Sequence, residues 1–200
     1  MSGLFVTGTG TDVGKSWVSA WAVRSWGAAY WKPVQSGTIE SWDADLVRRI
    51  APSAKIFDSR YALPDPLSPD QAAKRAGLRI ALDDFVLPDH DGPLVVEGAG
   101  GVLVPLNERA LMVDLMARLG LPILLVAASG LGTINHTLLS LEALRARKLM
   151  VAGVILVGPP HPENHAAIER FGHAMVVAEL PPLADEAALA AHPPLSWSPF

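Results

Sequence analysis

The sequence contains no cysteine among its 200 residues. This excludes a disulfide framework, a thiolate nucleophile and a cysteine-ligated metal site. The sequence also lacks a long apolar run: the longest, residues 119–128, is interrupted by Gly120 and Pro122, whereas a membrane-spanning helix needs roughly 20 apolar residues. Residues 1–6 carry neither a positive charge nor an apolar run of signal-peptide length. We therefore expect a cytoplasmic protein that does not enter a membrane.

An excess of charge is also missing. The formal net charge is −4, which is too small for an acidic tail, and its sign argues against nucleic acid as a partner. Half of the residues are hydrophobic, enough to bury a sizeable core. The length fits one domain, 1–200, and neither a repeat nor a linker divides it. The proline-rich tail, 181–200, is expected to be irregular, with room for a short helix at 185–191.

The apolar residues form short continuous runs, which are typical of strands buried on both faces of a parallel sheet. Segments with helical spacing lie between them. This alternation predicts an α/β fold: a single doubly wound domain with a mostly parallel central sheet flanked by helices. Residues 61–69 contain three prolines and predict an ordered loop. The predicted strands are 4–7, 29–31, 94–97, 123–127, 151–157 and 175–178, and the predicted helices are 15–26, 44–50, 113–119, 133–146 and 164–171.

The first predicted strand leads through a glycine-rich loop directly into a helix. Such a loop turns backbone N–H groups inward, and the helix N-terminus adds positive potential, so the segment is typical of a phosphate-binding loop. Five residues separate its two outer glycines, one more than in the common pattern, and a tight turn without a ligand is the alternative. The predicted nucleotide-binding residues are Gly8, Thr9, Gly10, Thr11, Asp12, Val13, Gly14, Lys15 and Ser16. In such loops the lysine contacts the β- and γ-phosphates, and the hydroxyl binds Mg²⁺.

Charged residues follow two of the other predicted strands. Lys32 comes after the second strand, at the edge of the sheet where ligands bind in open α/β folds; an exposed strand-end lysine is the alternative. Glu97 ends the third strand, as a Walker-B carboxylate does, although a capping carboxylate has the same pattern. The glycines after it, Gly98, Gly100 and Gly101, allow the backbone to approach a nucleotide closely.

A second metal-binding carboxylate is expected from the segment that contains Asp43 and Asp45. Two residues apart on a helix, their side chains diverge by ~200°, so only one of them can face a metal ion. We interpret Asp45 as the ligand and Asp43 as the helix cap.

Four segments, taken together and in this order, resemble dethiobiotin synthetases: 7–16, 32–37, 96–101 and 131–136. The phosphate loop is shared with many ATPases, whereas Lys-Pro-Val-Gln-Ser-Gly and Val-Glu-Gly-Ala-Gly-Gly are much more specific. The resemblance covers most of residues 4–180. It implies an ATP-dependent ligase that carboxylates 7,8-diaminononanoate with CO2 and closes the ring of dethiobiotin, through a carbamate and a carbamic–phosphoric anhydride, with ADP and phosphate as the other products.

The resemblance also implies roles for individual residues. Lysines stabilise the phosphoryl and carbamate charges, and hydroxyl groups line the diamine site. Amine and CO2 need no protein nucleophile, which agrees with the lack of cysteine; proximity and charge stabilisation suffice. The implied catalytic residues are Lys15, Lys32, Thr11 and Ser36, the substrate-binding residues are Thr11, Asp12, Lys32, Ser36 and Asn135, and the Mg²⁺ ligands are Ser16, Asp45 and Glu97.

Two further expectations follow from the resemblance. The first is a homodimer in which Asn135 reaches the carboxylate tail of the substrate bound to the neighbour; Asn135 as a helix cap is the alternative. The second concerns the nucleotide base. Many family members read adenine with an asparagine where this chain has Val157, followed by Gly158. Valine offers no side-chain hydrogen bond, so nucleoside triphosphates other than ATP are also expected as co-substrates.

Two other functions compete with this interpretation. A switch ATPase of the partition or septum-placement type carries an extra lysine early in the phosphate loop, where this chain has Thr9, Gly10 and Thr11. The synthetase part of a cobalamin-pathway amidotransferase needs a glutaminase with a cysteine nucleophile, which this chain does not supply. Dependence on a small diamine or on glutamine would separate the three functions.

Overall fold

The computed structural model describes residues 3–199. Its centre is a seven-stranded sheet in which all strand pairings of the described residues are parallel. A second, two-stranded sheet lies beside it. The strands are β1 (Gly3–Gly8), β2 (Ala29–Trp31), β3 (Val34–Ser36), β4 (Ile56–Phe57), β5 (Tyr61–Leu63), β6 (Leu94–Gly101), β7 (Ile123–Ala128), β8 (Val151–Val157) and β9 (Val176–Leu180). The helices are α1 (Lys15–Trp26), α2 (Asp43–Ile50), α3 (Pro69–Arg75), α4 (Met112–Leu119), α5 (Thr133–Ala146), α6 (Pro162–Gly172) and α7 (Glu186–Ala191).

The strand order of the large sheet is β4-β2-β6-β1-β7-β8-β9. The chain first builds outward from β1 on one side, returns with β6 directly beside β1, and then extends on the other side. Because all strands are parallel, their carboxyl ends meet at one edge, which is where ligands bind in doubly wound folds. The predicted fold, a single doubly wound α/β domain, is confirmed.

Each face of the sheet is covered by its own apolar cluster. Along β7, Ile123 and Leu125 belong to one cluster, while Leu124 and Val126 belong to the other. Successive side chains of a strand point to opposite faces, so a strand covered on both faces must be apolar at every position. Each such side chain contributes about 1.5–3 kcal/mol when fully buried. This is why the strands appear in the sequence as continuous rather than alternating apolar runs.

Helix α1, which follows the phosphate-binding loop, is covered by the end of the chain. The indole N–H of Trp21 donates to the Pro193 carbonyl at 2.8 Å, and the Leu195 amide donates to the Ser25 hydroxyl at 2.8 Å. The Arg24 guanidinium donates to carbonyls of the same segment. We call this contact the tail seam. It explains why α1 is apolar on more than one face: the sheet covers one side and the tail the other.

Two segments differ from the sequence-based expectations. The predicted loop 61–69 contains strand β5, which pairs with β3, and the first residue of α3. Strand β6 continues past Glu97 to Gly101, because this glycine-rich stretch stays beside β1, with Gly8 opposite Gly101. In the tail, a short helix forms as α7, whereas Phe200 and residues 1–2 lie outside the described residues. Between residues 3 and 199, none of the helices has the length and apolar character needed to cross a membrane.

Candidate active site

A cleft of about 920 Å³ opens at the carboxyl edge of the sheet. It is bounded by the phosphate-binding loop and the start of α1, by the end of β6, and by α2. One arm of the cleft extends toward the small sheet, where Ser36 and Ser68 line it. The other arm extends along α1 and α2 to the beginning of α7, where Arg49 and Glu186 line it. The topology alone therefore brings the predicted phosphate loop, lysine and carboxylate to one place.

The lysine at the end of the phosphate-binding loop is hydrogen-bonded to the backbone of that loop. The Lys15 ammonium donates to the Gly10 carbonyl at 2.8 Å, and Lys15 is buried. Gly14 has a φ of 95°, which favours glycine, and a Cβ there would lie 2.9 Å from the Val157 side chain. Within the loop, Asp12 adopts a left-handed φ of 58°, a conformation that aspartate tolerates better than most residues.

Glu97 lies at the centre of a fully hydrogen-bonded cluster. Its side chain is completely buried and accepts from the Lys32 ammonium at 2.8 Å, the Ser16 hydroxyl at 2.9 Å and the Tyr30 hydroxyl at 2.9 Å. Asp43 completes the arrangement: its carboxylate lies 2.6 Å from the Lys32 ammonium and 2.5 Å from the Ser16 hydroxyl, whose single proton is shared between Asp43 and Glu97. We call Ser16, Lys32, Asp43 and Glu97 the charge cluster. A buried carboxylate is stable in the charged form only with such partners.

The electrostatics of the cleft keep its charges in place. Burial lowers the pKa of Lys32, but the neighbouring Glu97 and Asp43 outweigh burial and raise this pKa above its usual value. Burial raises the pKa of Asp43, and Lys32 together with the hydrogen bonds from Ser16 and Gln35 brings it below its usual value. Lys15 has no carboxylate in direct contact, and burial lowers its pKa. Lys32 is therefore held as a cation by a carboxylate pair.

The two aspartates of α2 are placed in the reverse of the predicted arrangement. Asp45 does not belong to the charge cluster: its carboxylate lies 2.6 Å from Arg48, and both side chains are about half exposed. Asp43 faces the cleft, and no side chain caps α2, whose first flanking residue is Trp42. Only one of the two aspartates faces inward, as predicted, but it is Asp43, and the prediction of Asp45 was wrong.

The apolar pattern of α2 would have identified Asp43 as the inward-facing aspartate. The buried residues Leu46, Val47 and Ile50 follow Asp43 by three, four and seven positions, so they share its face of the helix. Asp45 shares its face with the two exposed arginines that follow it. A carboxylate on the buried stripe is the one that must find a partner inside the protein.

Two further residues of the site were not predicted. Tyr30 reads as an ordinary strand residue, yet its buried hydroxyl donates to Glu97, and burial raises its pKa well above the usual value. The side-chain amide oxygen (Oε1) of Gln35 accepts from the backbone N–H of Asp43 at 3.3 Å, at the start of α2. Both lie next to predicted site residues in strands β2 and β3, but neither residue type is by itself a signal of a site.

Other predicted residues either line the cleft or lie outside its lining. Thr11, Asp12 and Ser36 line the cleft, and the Ser36 hydroxyl is buried without a hydrogen-bond partner among the described residues. Outside its lining lie Asn135, which is exposed, and Val157 with Gly158. Helix α5 starts after Gly132 with no side-chain cap, so Asn135 does not act as a cap. The functional roles of all these residues stay predictions.

The charge cluster fits a hard divalent cation. Mg²⁺ prefers oxygen ligands in few, well-placed positions, and the Ser16 hydroxyl oxygen lies 2.5 Å from one carboxylate oxygen and 2.9 Å from another. Three oxygen-bearing side chains, from Ser16, Asp43 and Glu97, thus converge at the end of the phosphate-binding loop. No group of three or more histidine, cysteine, aspartate or glutamate side chains suited to a metal ion occurs in residues 3–199. A metal at this site would therefore be held by only two carboxylates, a hydroxyl and phosphate oxygens, as is typical of Mg²⁺ with a nucleotide.

Known structures share the fold of this chain. A ParA family ATPase from Chlorobium tepidum TLS aligns over 96% of this chain and 90% of its own, with a TM-score of 0.51 and 13% identity. A nucleotide-binding protein from Archaeoglobus fulgidus, solved in complex with ADP, aligns over 94% and 85%, with a TM-score of 0.50 and 12% identity. At these identities the likeness concerns the fold alone.

Sequence comparisons are more specific. The family described as "AAA domain" matches residues 2–188. The ATP-dependent dethiobiotin synthetase BioD of Paramagnetospirillum magneticum is 55% identical over 200 residues, covering 99% of this chain and 98% of the relative. BioD of Brucella ovis is 44% identical over 92% of this chain and 88% of the relative. The bifunctional biotin biosynthesis protein BioCD of Bordetella avium is 54% identical, with 90% of this chain matching 40% of that protein. The chain belongs to the dethiobiotin synthetase family.

Proposed function

We propose that this protein is an ATP-dependent ligase that makes dethiobiotin from 7,8-diaminononanoate and CO2 in biotin biosynthesis. Its membership in the family supports the overall reaction, and the charge cluster beside the phosphate-binding loop is the observation that carries the proposal. Phosphoryl transfer to a small carbamate needs positive charge, an oxygen-ligand site for Mg²⁺ and exclusion of competing nucleophiles. The cleft offers the first two, and cysteine is lacking altogether.

The reaction consists of three bond-forming steps. One amine of the substrate attacks CO2 and loses a proton, which gives a carbamate. A carbamate oxygen attacks the γ-phosphorus of ATP, and ADP leaves. The second amine then attacks the carbonyl carbon of the mixed anhydride, the ureido ring closes, and phosphate leaves. Each step creates or moves negative charge, so fixed cations are the main requirement.

Lys15 and Lys32, which both line the cleft, supply these cations. Lys15 comes from the phosphate-binding loop and is assigned to the β- and γ-phosphates. Lys32 is anchored by Glu97 and Asp43 and is assigned to the carbamate and the transferred phosphoryl group. Ser16, Asp43 and Glu97 would hold Mg²⁺, which neutralises charge on the triphosphate. Ser36 and Thr11 face the arm of the cleft assigned to the diamine, where the buried Ser36 hydroxyl is available as a donor.

The decisive experiment is a coupled assay with diaminononanoate, bicarbonate, Mg²⁺ and ATP. We expect phosphate release that depends on the diamine and the formation of a cyclic urea product. ATP turnover that is independent of the diamine would favour a switch ATPase instead, and product formation that requires glutamine would favour an amidotransferase. The loop positions Thr9, Gly10 and Thr11, which carry no lysine, already argue against the first alternative.

The active form is proposed to be a homodimer. A second cleft of about 410 Å³ lies between the loop after β6 and helix α5. Leu103 and Leu139 line it and are 50% and 56% exposed, and Leu131 is fully exposed. Exposed leucines around an apolar cleft favour association with another protein surface, and Asn135 lies on the same helix.

The dimer proposal is tested by sedimentation and kinetics. We expect a dimer at working concentration, and Asn135→Ala should raise the KM for the diamine while the KM for ATP stays the same. A monomer with full activity would refute the proposal.

Selectivity for the nucleotide base is proposed to be relaxed. The Val157 side chain packs against Gly14 of the phosphate-binding loop and has no hydrogen-bonding group, and Pro159 and Pro160 lack an N–H. An apolar site discriminates by ~10²-fold or less, whereas a hydrogen-bonding site reaches ~10⁴-fold. CTP and GTP should therefore support turnover within about a hundredfold of ATP. Steady-state kinetics with four nucleoside triphosphates measure the base selectivity, and a larger preference for ATP contradicts the proposal.

The proposed function also includes a cytoplasmic location for the protein.

A further inference from the structure

Two helix–strand loops at the amino edge of the sheet, opposite the cleft, lie side by side. One runs from Arg145 in the last turn of α5 to Met150 before β8, and the other runs from Arg170 in the last turn of α6 to Met175 before β9. The Arg145 guanidinium donates to a carbonyl of the second loop, that of His173, at 3.0 Å. Strands β8 and β9 are paired neighbours. The two loops therefore form one surface.

Three large apolar side chains of this surface are exposed. Met150 is 64% exposed, Phe171 60% and Met175 64%. Single exposed apolar residues are normal in a folded protein, whereas several on one surface mark a contact site. The residue before each methionine, Leu149 or Ala174, packs against the core. The two methionines are therefore not needed to anchor the loops.

Positive charge surrounds these apolar side chains, although the chain as a whole is negative. The two loops contain four lysine and arginine residues and no aspartate or glutamate, whereas the net charge of the chain is −4. Arg147 lies 3.6 Å from a carboxylate of α4, while Lys148 and Arg170 have no carboxylate within ion-pair distance in residues 3–199. Glu169, which precedes Arg170, is engaged by a backbone N–H and by a histidine of α6. The cations of the surface thus remain largely uncompensated.

We propose that this surface docks a different protein through an acidic, partly apolar face of that partner. Arginine, methionine and aromatic residues are the types enriched in protein interfaces. The apolar side chains would form the centre of the contact, and the cations around them would select an acidic partner. We call the surface the docking patch, and it consists of Arg147, Lys148, Met150, Arg170, Phe171 and Met175.

Two other occupants fit the docking patch less well. In a two-fold contact between copies of this chain, the patch would face itself and its cations would meet the same cations. The proposed dimer contact lies instead around Leu131 and Leu139, away from this end of α5. Clusters that bind anionic lipid carry about 4–8 lysine or arginine residues, whereas three remain here once Arg145 is bound to backbone carbonyls.

The test uses a defined probe, a labelled amphipathic peptide with leucines on one helix face and glutamates beside them. A matched peptide carries lysines in place of the glutamates. Fluorescence anisotropy should show binding of the acidic peptide alone. Phe171→Ala should weaken this binding by about tenfold, as truncation of a central interface side chain does, and Lys148→Gln combined with Arg170→Gln should weaken it by a similar factor.

Salt dependence tests the role of the cations. Raising the salt concentration from about 0.1 M to about 1 M shortens the Debye length from about 10 Å to about 3 Å. Binding of the acidic peptide to the unmodified protein should then weaken several-fold. The double variant of Lys148 and Arg170 should lose most of this dependence, because the charges that salt screens are no longer present.

Matched controls come from the opposite part of the molecule. Ile39 is 80% exposed and Lys74 is exposed on α3, so Ile39→Ala and Lys74→Gln should leave peptide binding unchanged. Substitutions at exposed positions change stability little, so all variants should keep their melting temperature. Peptide binding does not depend on the proposed diamine chemistry, and a negative diamine assay would leave the docking patch untouched.

Vesicles of phosphatidylcholine with about one third phosphatidylglycerol serve as the membrane probe. Vesicle binding that is lost in the Phe171 and Lys148–Arg170 variants would assign the patch to a membrane and overturn the proposal. Conversion of a dimer to a monomer by Phe171→Ala, seen by sedimentation, would assign the patch to a second copy and do the same. Absence of acidic-peptide binding, or binding that Phe171→Ala leaves unchanged, would also overturn it.

Discussion

The charge cluster and the arm of the cleft that extends to α7 hold their charges in different ways. Around the charge cluster, the ionised groups are mostly buried and each has at least two partners. They lie within β6, directly after β2 and at the first residue of α2. In the arm that extends to α7, the charges are the exposed ion pair of Arg49 on α2 and Glu186 on α7. A buried charge network is costly to disturb, because a partner left behind stays unpaired, whereas an exposed pair is screened by water. The charge cluster is thus the rigid part of the cleft, and the exposed pair is the part that adjusts more easily.

The largest effects are expected from the two lysines. Lys15→Ala and Lys32→Ala should each lower turnover by ~10²-fold or more, since a preorganised charge contributes several kcal/mol at the transition state. Lys32→Ala also leaves Glu97 and Asp43 without their shared cation and is expected to lower the melting temperature. Lys32→Arg, which keeps the charge, separates the two effects. Near-normal turnover in a folded Lys32→Ala protein would remove this residue from the mechanism.

A smaller, more selective effect is expected at the carboxylates. Asp43→Asn and Glu97→Gln should raise the Mg²⁺ concentration needed for half-maximal turnover by about tenfold, because each removes a charged oxygen ligand. Asp45→Asn is the matched control, since this residue lies on the same turn of α2 but pairs with Arg48. Mg²⁺ titrations of the three variants at saturating ATP give the comparison. If Asp45→Asn proves as damaging as Asp43→Asn, the distinction between the inward-facing Asp43 and the exposed Asp45 fails.

The smallest effect is expected from Tyr30→Phe. This change removes one of three donors to Glu97 and leaves Ser16 and Lys32 in place. We expect a loss of about 1–3 kcal/mol in the free energy of unfolding, the usual cost of a missing buried hydrogen bond. Turnover per folded molecule should fall only a few-fold, since Tyr30 is completely buried. Urea unfolding with parallel kinetics measures both, and a fall in turnover as large as that of Lys32→Ala would make Tyr30 part of the chemistry.

The sequence predicts the fold and one wall of the site well, for a physical reason. A strand, a glycine-rich loop and a helix follow one another along the chain, so Lys15 and Ser16 are placed by local geometry. Glu97 directly follows the buried apolar residues of a strand that runs beside β1 toward the same edge of the sheet. The position of Asp43 depends instead on how α2 is rotated against the sheet, which is a tertiary property. Tyr30 was missed because only the structure reveals the direction of its hydroxyl.

The tail seam has a practical consequence for work with this protein. Trp21 and Ser25 of α1 are hydrogen-bonded to residues near the carboxyl terminus, so an affinity tag or fusion partner joined there is attached next to the helix that supplies Lys15. Strand β1 begins at Gly3, at the edge of the parallel sheet opposite the cleft. Foreign sequence is therefore better attached at the amino terminus.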